Sequence, residues 1–131
     1  MISHKKKFIF IHTPKTGGRS IQKSLLAQKI KIDDSKQNVM TQPHLPNSWY
    51  REYYPEQYHA YFKFAFIRNP WDRFLSEYFY MQRWDGCDAK KHNVIFSEKY
   101  KTFRDFVLLN GIQYCWAYHD QPQTSIIDDE I

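Results

Sequence analysis

Cysteine is nearly missing from this chain, which has only Cys87 and Cys115. They lie far apart and form no CxxC pair, so a zinc or dithiol-disulfide centre is not indicated, and they read as two free thiols. Glycine is also scarce, with four residues, two of them adjacent at Gly17 and Gly18. No low-complexity tract and no internal repeat is present, which argues against wholesale disorder and for a packed globule. Long apolar runs are missing as well. The basic start, Met1 to Lys7, is followed only by Phe8 to Ile11, too short for a signal-peptide core or a membrane span. With the N-terminus taken as natural, a cytoplasmic location is expected, with no membrane span. Acidic residues are outnumbered 14 to 19 by Lys and Arg, giving a formal charge of +5. That balance suits an anionic ligand without choosing among nucleotide, sulfated glycan, nucleic acid and acidic lipid.

What is present is a foldable chain. At 131 residues, 42% hydrophobic and 18% aromatic, it suits one packed domain, small for an α/β enzyme that carries its own acceptor pocket. Lys7 to His12 (KFIFIH) reads as a buried strand ending at Thr13-Pro14. Ile21, Leu25 and Leu26 then recur at helical spacing, so strand, tight loop and helix follow within about two dozen residues, the first half of a βαβ crossover. Between Lys31 and Tyr58 the pattern dissolves around Pro43, Pro46 and Pro55, leaving one short helix from Ser48 to Tyr53 capped by Asn47. Tyr61 to Ile67 (YFKFAFI) reads as a second buried strand.

A second clear helix starts at Asn69-Pro70, with Asn69 as cap and Trp71, Phe74, Leu75 and Tyr78 at i, i+3, i+4 and i+7. Arg73 and Glu77, four apart, read as a surface ion pair. Asp85 to Lys101 is polar and reads as a connection. A third helix has Thr102 and Asp105 as a capping box, Phe103, Phe106 and Val107 as its stripe, and Gly111 after its end. Alternating strands and helices predict an α/β fold with a central parallel sheet flanked by helices, and such sheets bind ligands at the carboxyl ends of their strands.

Both strand ends carry suitable residues. After the first comes His12-Thr13-Pro14-Lys15-Thr16-Gly17-Gly18-Arg19-Ser20. Two glycines allow backbone N–H groups to approach an anion, the helix N-terminus adds partial positive charge, and Lys15, Arg19 and two hydroxyls complete a cradle. The Lys precedes the glycines, unlike the GxxxxGK[ST] of ordinary ATPases and GTPases. Taken alone, such a stretch reads equally as a plain turn. After the second strand comes Arg68, with Ser76 about two turns along the following helix. Alone, Arg68 reads as a solvated or ion-paired arginine and Ser76 as a neutral helix residue. Together, two anion sites on neighbouring strands suit a doubly phosphorylated nucleotide.

His12 to Ser20 (HTPKTGGRS) and Phe64 to Tyr78 (FAFIRNPWDRFLSEY) resemble the two motifs that bind PAPS (3'-phosphoadenosine 5'-phosphosulfate) in the carbohydrate sulfotransferase family. The resemblance implies a three-layer, P-loop-like fold in a single sulfotransferase-like domain over residues 1–131. It assigns Lys15, Thr16, Gly17, Gly18, Arg19 and Ser20 to the 5'-phosphosulfate, and Arg68 and Ser76 to the 3'-phosphate. Arg19 stands where that family usually has Thr. His119 to Gln123 (HDQPQ) resembles a histidine and Pro-Gln element found further along such chains. The chain stops at Ile131, whereas family members normally continue through further strands and helices, so a catalytically incomplete PAP- or PAPS-binding domain is the alternative.

The implied reaction is in-line sulfuryl transfer from PAPS to a hydroxyl or amine of an acceptor, a carbohydrate by the resemblance, releasing PAP and requiring no metal. Positioning and charge stabilisation dominate such chemistry. Lys15 is expected to stabilise charge on the leaving oxygen. The expected base is His44, in the irregular segment where related enzymes place a histidine facing the acceptor; a solvated loop histidine is the plainer reading. His12 reads as loop architecture, His59 as a surface residue, and Glu52 and Glu56 as weaker bases. Trp49, Tyr50, Tyr53 and Tyr54 read either as a sugar-stacking wall or as core. A nucleotide kinase would need a magnesium-binding Asp after the second strand, which is not found, and a nucleic-acid binder would need a continuous basic face, which cannot be traced.

Overall fold

The β-branched and aromatic run Phe8–Ile11 forms β2, at the centre of a three-stranded sheet. The computed structural model describes residues 1–33, 44–84, 96–114, 119 and 121–128. Cys87, Cys115 and Asp120 lie outside the described residues. On one side β2 pairs in parallel with β3 (Phe62–Ala65), Phe10 opposite Phe64. On the other it pairs antiparallel with β1 (Ile2–Ser3). The basic start of the chain is thus a strand and a turn, and the sheet is mixed where an all-parallel one was expected. β3 was expected to be buried, but among the described residues it is an edge strand with Phe62 71% exposed.

Two compact units divide the chain: residues 1–67 with 121–131, and residues 68–120. The first holds the sheet, α1 (Gly18–Ala27), α2 (Asn47–Tyr53), α3 (Pro55–Ala60) and α7 (Thr124–Ile127). Its core joins Ile2, Ile9 and Ile11 of the sheet to Leu45, Tyr50, Tyr54, Tyr58 and Ile126. Burying each aliphatic side chain there contributes roughly 1.5–3 kcal/mol. Asn47 was expected to cap α2 but is its first residue. Its amide is fully buried and donates to the Tyr58 hydroxyl (2.7 Å) and the Asp128 carboxylate (2.6 Å), which draws the side chain away from the helix end. α3 was not expected. Pro55 occupies its first turn, where the missing N–H costs nothing, so this proline starts a helix and does not prevent one.

The second unit contains α4 (Pro70–Trp84), α5 (Phe96–Lys99), α6 (Phe103–Leu108) and a 3₁₀ turn (Gly111–Tyr114). Its core is mostly aromatic: Tyr78, Phe96, Tyr100 and Phe106 with Met81, and Phe74, Leu75 and Phe103 packed against it. α6 has the expected capping box, Asp105 N–H donating to Thr102 Oγ1 (3.1 Å) and Thr102 N–H to Asp105 Oδ2 (3.0 Å). α5 is a short helix inside the stretch read as a connection, and Phe96 is fully buried there. Among the described residues no helix is long and apolar enough to cross a membrane.

Candidate functional site

The chain leaves β2 at Ile11 and turns sharply before α1 begins at Gly18. Thr13, fully buried, donates from Oγ1 to the Phe66 carbonyl (2.5 Å), tying the end of β2 to the backbone just past β3. Thr16 Oγ1 lies 2.9 Å from both the Thr13 carbonyl and Thr13 Oγ1. The two threonines therefore hold the loop's shape. Lys15 has φ 63°, the left-handed region that costs a non-glycine residue roughly 1–2 kcal/mol. Gly17 follows with φ 86°, a conformation that glycine alone takes without strain. Backbone strain of this kind concentrates at functional loops.

Gly18 is required for a different reason. A Cβ there would stand 1.9 Å from the His12 ring, so the helix starts in direct contact with a buried imidazole. Gly17 provides no side-chain cap, and no acidic residue lies in the first turn of α1. The end of this ten-residue helix thus presents N–H groups and partial positive charge beside Lys15, Arg19 and Ser20 in the sequence, a donor set chemically suited to an anion. Lys15 and Thr16 are half-buried, while Gly17, Arg19 and Ser20 are exposed.

His44 belongs to the same place. Its Nδ1 donates to the His12 carbonyl (3.0 Å), and the two imidazole rings are 4.4 Å apart. A carbonyl only accepts, so His44 carries its proton on Nδ1, and the neutral ring has its lone pair on Nε2. A residue 32 positions along the chain is brought to the start of this loop. The other candidate bases sit elsewhere: Glu52 and Glu56 are exposed on α2 and α3, as is His59. Of the aromatic group, Tyr50 and Tyr54 belong to the core. Tyr53, 43% exposed, stacks on half-buried Trp49 (4.8 Å between centroids).

The second motif opens the other unit. Asn69 Oδ1 accepts from the Trp71 N–H (2.9 Å), the expected cap of α4. Arg68 is exposed and Ser76 half-buried. The buried face of α4 runs through Glu77, Tyr78 and Met81, leaving Trp71 74% exposed although it was placed in the apolar stripe. Tyr78 is structural: its hydroxyl lies 3.0 Å from the Lys101 carbonyl and accepts from Gln82 (3.1 Å). Glu77, expected at the surface beside Arg73, is buried. Glu77 is 2% exposed and accepts from His119 Nδ1 (2.8 Å), while Arg73 donates to the His119 carbonyl (3.3 Å). The available signal was position: Glu77 lies three residues after Phe74 and four before Met81, inside the stripe that packs inward.

Among the described residues no His, Cys, Asp and Glu group could hold a metal ion. No curated protein and no solved structure matches the chain. A family model described as Sulfotransferase family matches residues 1–127, covering the loop, His44, Arg68, Ser76 and His119. A mixed α/β chain with a strand, an uncapped glycine-bearing helix start and a lysine between them, matched over nearly its whole length, belongs to the sulfotransferase family, whose chemistry is sulfuryl transfer from a nucleotide donor to an acceptor.

Proposed function

We propose that this chain binds PAPS and transfers its sulfuryl group to a hydroxyl or amine of a carbohydrate acceptor, releasing PAP. The observation that supports this reading is the packing of His12, Gly18 and His44: the His12 ring lies against the start of α1, and the His12 carbonyl accepts from His44 Nδ1. The three-layer, P-loop-like architecture over a single domain is part of the same reading. Lys15 to Ser20 hold the 5'-phosphosulfate, and by resemblance Arg68 and Ser76 hold the 3'-phosphate.

When bound, PAPS supplies an activated sulfur with PAP as its leaving group. His44 Nε2 takes the proton of the acceptor hydroxyl or amine as that group bonds to sulfur. Lys15 offers positive charge to the bridging oxygen, which keeps the electron pair of the broken bond. Stabilising a developing anion in this way is worth on the order of 10² to 10³ in rate. The base contributes on the order of 10² to 10⁴. The Lys15 backbone strain is consistent with a residue held for this role. Trp49 and Tyr53, stacked and partly exposed, are the aromatic surface proposed for the sugar ring.

Calorimetric titration with PAP, and with ATP plus magnesium, tests the donor. PAP binding that is lost in Lys15→Ala and Arg68→Ala supports the reading, whereas magnesium-dependent ATP binding overturns it in favour of a nucleotide kinase. A transfer assay with PAPS and a panel of glycans then separates enzyme from binder. PAP binding without transfer to any acceptor identifies a catalytically incomplete nucleotide-binding domain.

A further inference from the structure

The mechanism above leaves unused the buried ionisable pair Glu77 and His119. Glu77 and His119 are 2% and 7% exposed and joined at 2.8 Å. A carboxylate removed from water to this extent is costly unless hydrogen-bonded, and a fold that needed only apolar packing at this point of α4 could place a leucine there. The pair also has a particular neighbour, since Glu77 directly follows Ser76 in α4.

His119 grips α4 at two levels. Its ring meets Glu77, and its carbonyl receives Arg73 (3.3 Å), one turn earlier. Two contacts about one helical turn apart, both ending on one residue, resist rotation of the helix about its axis and sliding along it. Ser76 lies within that same turn, and Arg68 stands two residues before the helix begins. A twist of α4 would carry Ser76 away from any ligand it serves.

We propose that Glu77 and His119, with Arg73, are positioning residues for recognition of the nucleotide's 3'-phosphate: they fix the orientation of α4 that presents Ser76 and Arg68. This rests on the donor reading above, in which those two residues meet the 3'-phosphate. Neither Glu77 nor His119 touches the nucleotide. Their effect is on discrimination between a nucleotide bearing a 3'-phosphate and one lacking it, because misplacing a binding group by about 1 Å is enough to cost on the order of 10²-fold.

The test is calorimetric titration of PAP and of 5'-AMP, which lacks the 3'-phosphate, into wild type, His119→Ala and His119→Asn, with thermal melting alongside. The asparagine amide can take the place of Nδ1–H. Wild type is expected to prefer PAP. His119→Ala should lose about 10- to 100-fold in PAP affinity while 5'-AMP affinity changes by less than about threefold, and His119→Asn should recover most of the loss. Equal weakening of both nucleotides, or an unchanged preference for PAP in a folded His119→Ala protein, overturns the proposal and leaves the donor reading intact. A wild type that binds PAP and 5'-AMP equally overturns the donor reading, and this proposal with it. If His119→Ala does not fold, Glu77→Leu, which fills similar space but accepts no hydrogen bond from His119 Nδ1, carries the same comparison, and the same two results decide it.

Discussion

The two segments that resemble nucleotide-binding motifs are held in shape by opposite means. The loop from His12 to Ser20 is fixed mostly by its own residues: Thr16 bonds back to Thr13, Gly17 takes a left-handed turn, and Gly18 clears the His12 ring. α4 is fixed from far along the chain, by His119 through Glu77 and Arg73 and by the Lys101 carbonyl through Tyr78. The difference is physical. A tight loop needs particular backbone angles, which a few residues supply, whereas a helix forms readily and requires tertiary contacts only to set its orientation.

The comparison is broken most severely at Gly18. In Gly18→Ala the new methyl meets the His12 ring at 1.9 Å, so His12 must move and His44 with it. Overpacking of this kind costs roughly 1–3 kcal/mol, and PAP titration should show donor binding abolished while circular dichroism still reports a folded chain. In the other unit the comparable change is Phe106→Ala, which empties the centre of the aromatic core and should cost about 3–5 kcal/mol in denaturant unfolding. It tests whether the second unit depends on packing more than on backbone geometry.

Lys15 sharpens the contrast. Lys15→Ala keeps a left-handed non-glycine residue, while Lys15→Gly removes the strain along with the charge. Both should lose sulfuryl transfer to a similar degree, on the order of 10² or more. The glycine variant should melt at or above the alanine variant, since relief of roughly 1 kcal/mol of strain offsets its greater freedom when unfolded. Alanine melting clearly above glycine would contradict the strained-loop account. Thr102→Ala, which deletes the α6 cap, should cost about 1 kcal/mol with donor affinity unchanged.

The smallest effect expected is at Asp33. Hydrogen bonds from the Lys31 ammonium (2.9 Å) and the His4 N–H (3.0 Å) hold its carboxyl below the ordinary aspartate range. Its folded value is lowered, so the stability it contributes is present above the ordinary aspartate pKa and is lost as pH falls through the lowered one. Lys31 is 78% exposed, so solvent screens this pair strongly. Melting temperatures of wild type and Asp33→Asn should differ slightly at neutral pH and converge in strong acid.

Much of the fold was legible beforehand because its signals are local. Phe8–Ile11, the glycine-marked start of α1, the Asn69-Pro70 start of α4 and the Thr102/Asp105 box each depend on residues within a few positions of one another. The loop residues of the candidate site were legible for the same reason. The errors arose where a partner lay far away in sequence. Asn47 offers a capping side chain, but Tyr58 and Asp128 take it; Glu77 reads as a surface residue, but it is buried against His119.

By itself, then, the sequence determined the tight glycine-marked loop between strand and helix and the order of the main strands and helices, since these follow from short-range sterics and hydrophobic period. Only the tertiary structure decided that His44 reaches the His12 carbonyl, that β3 lies at the sheet's edge, and that Glu77 is buried on His119. Those outcomes depend on which distant groups compete for each hydrogen bond once water is excluded, and no local pattern encodes that competition.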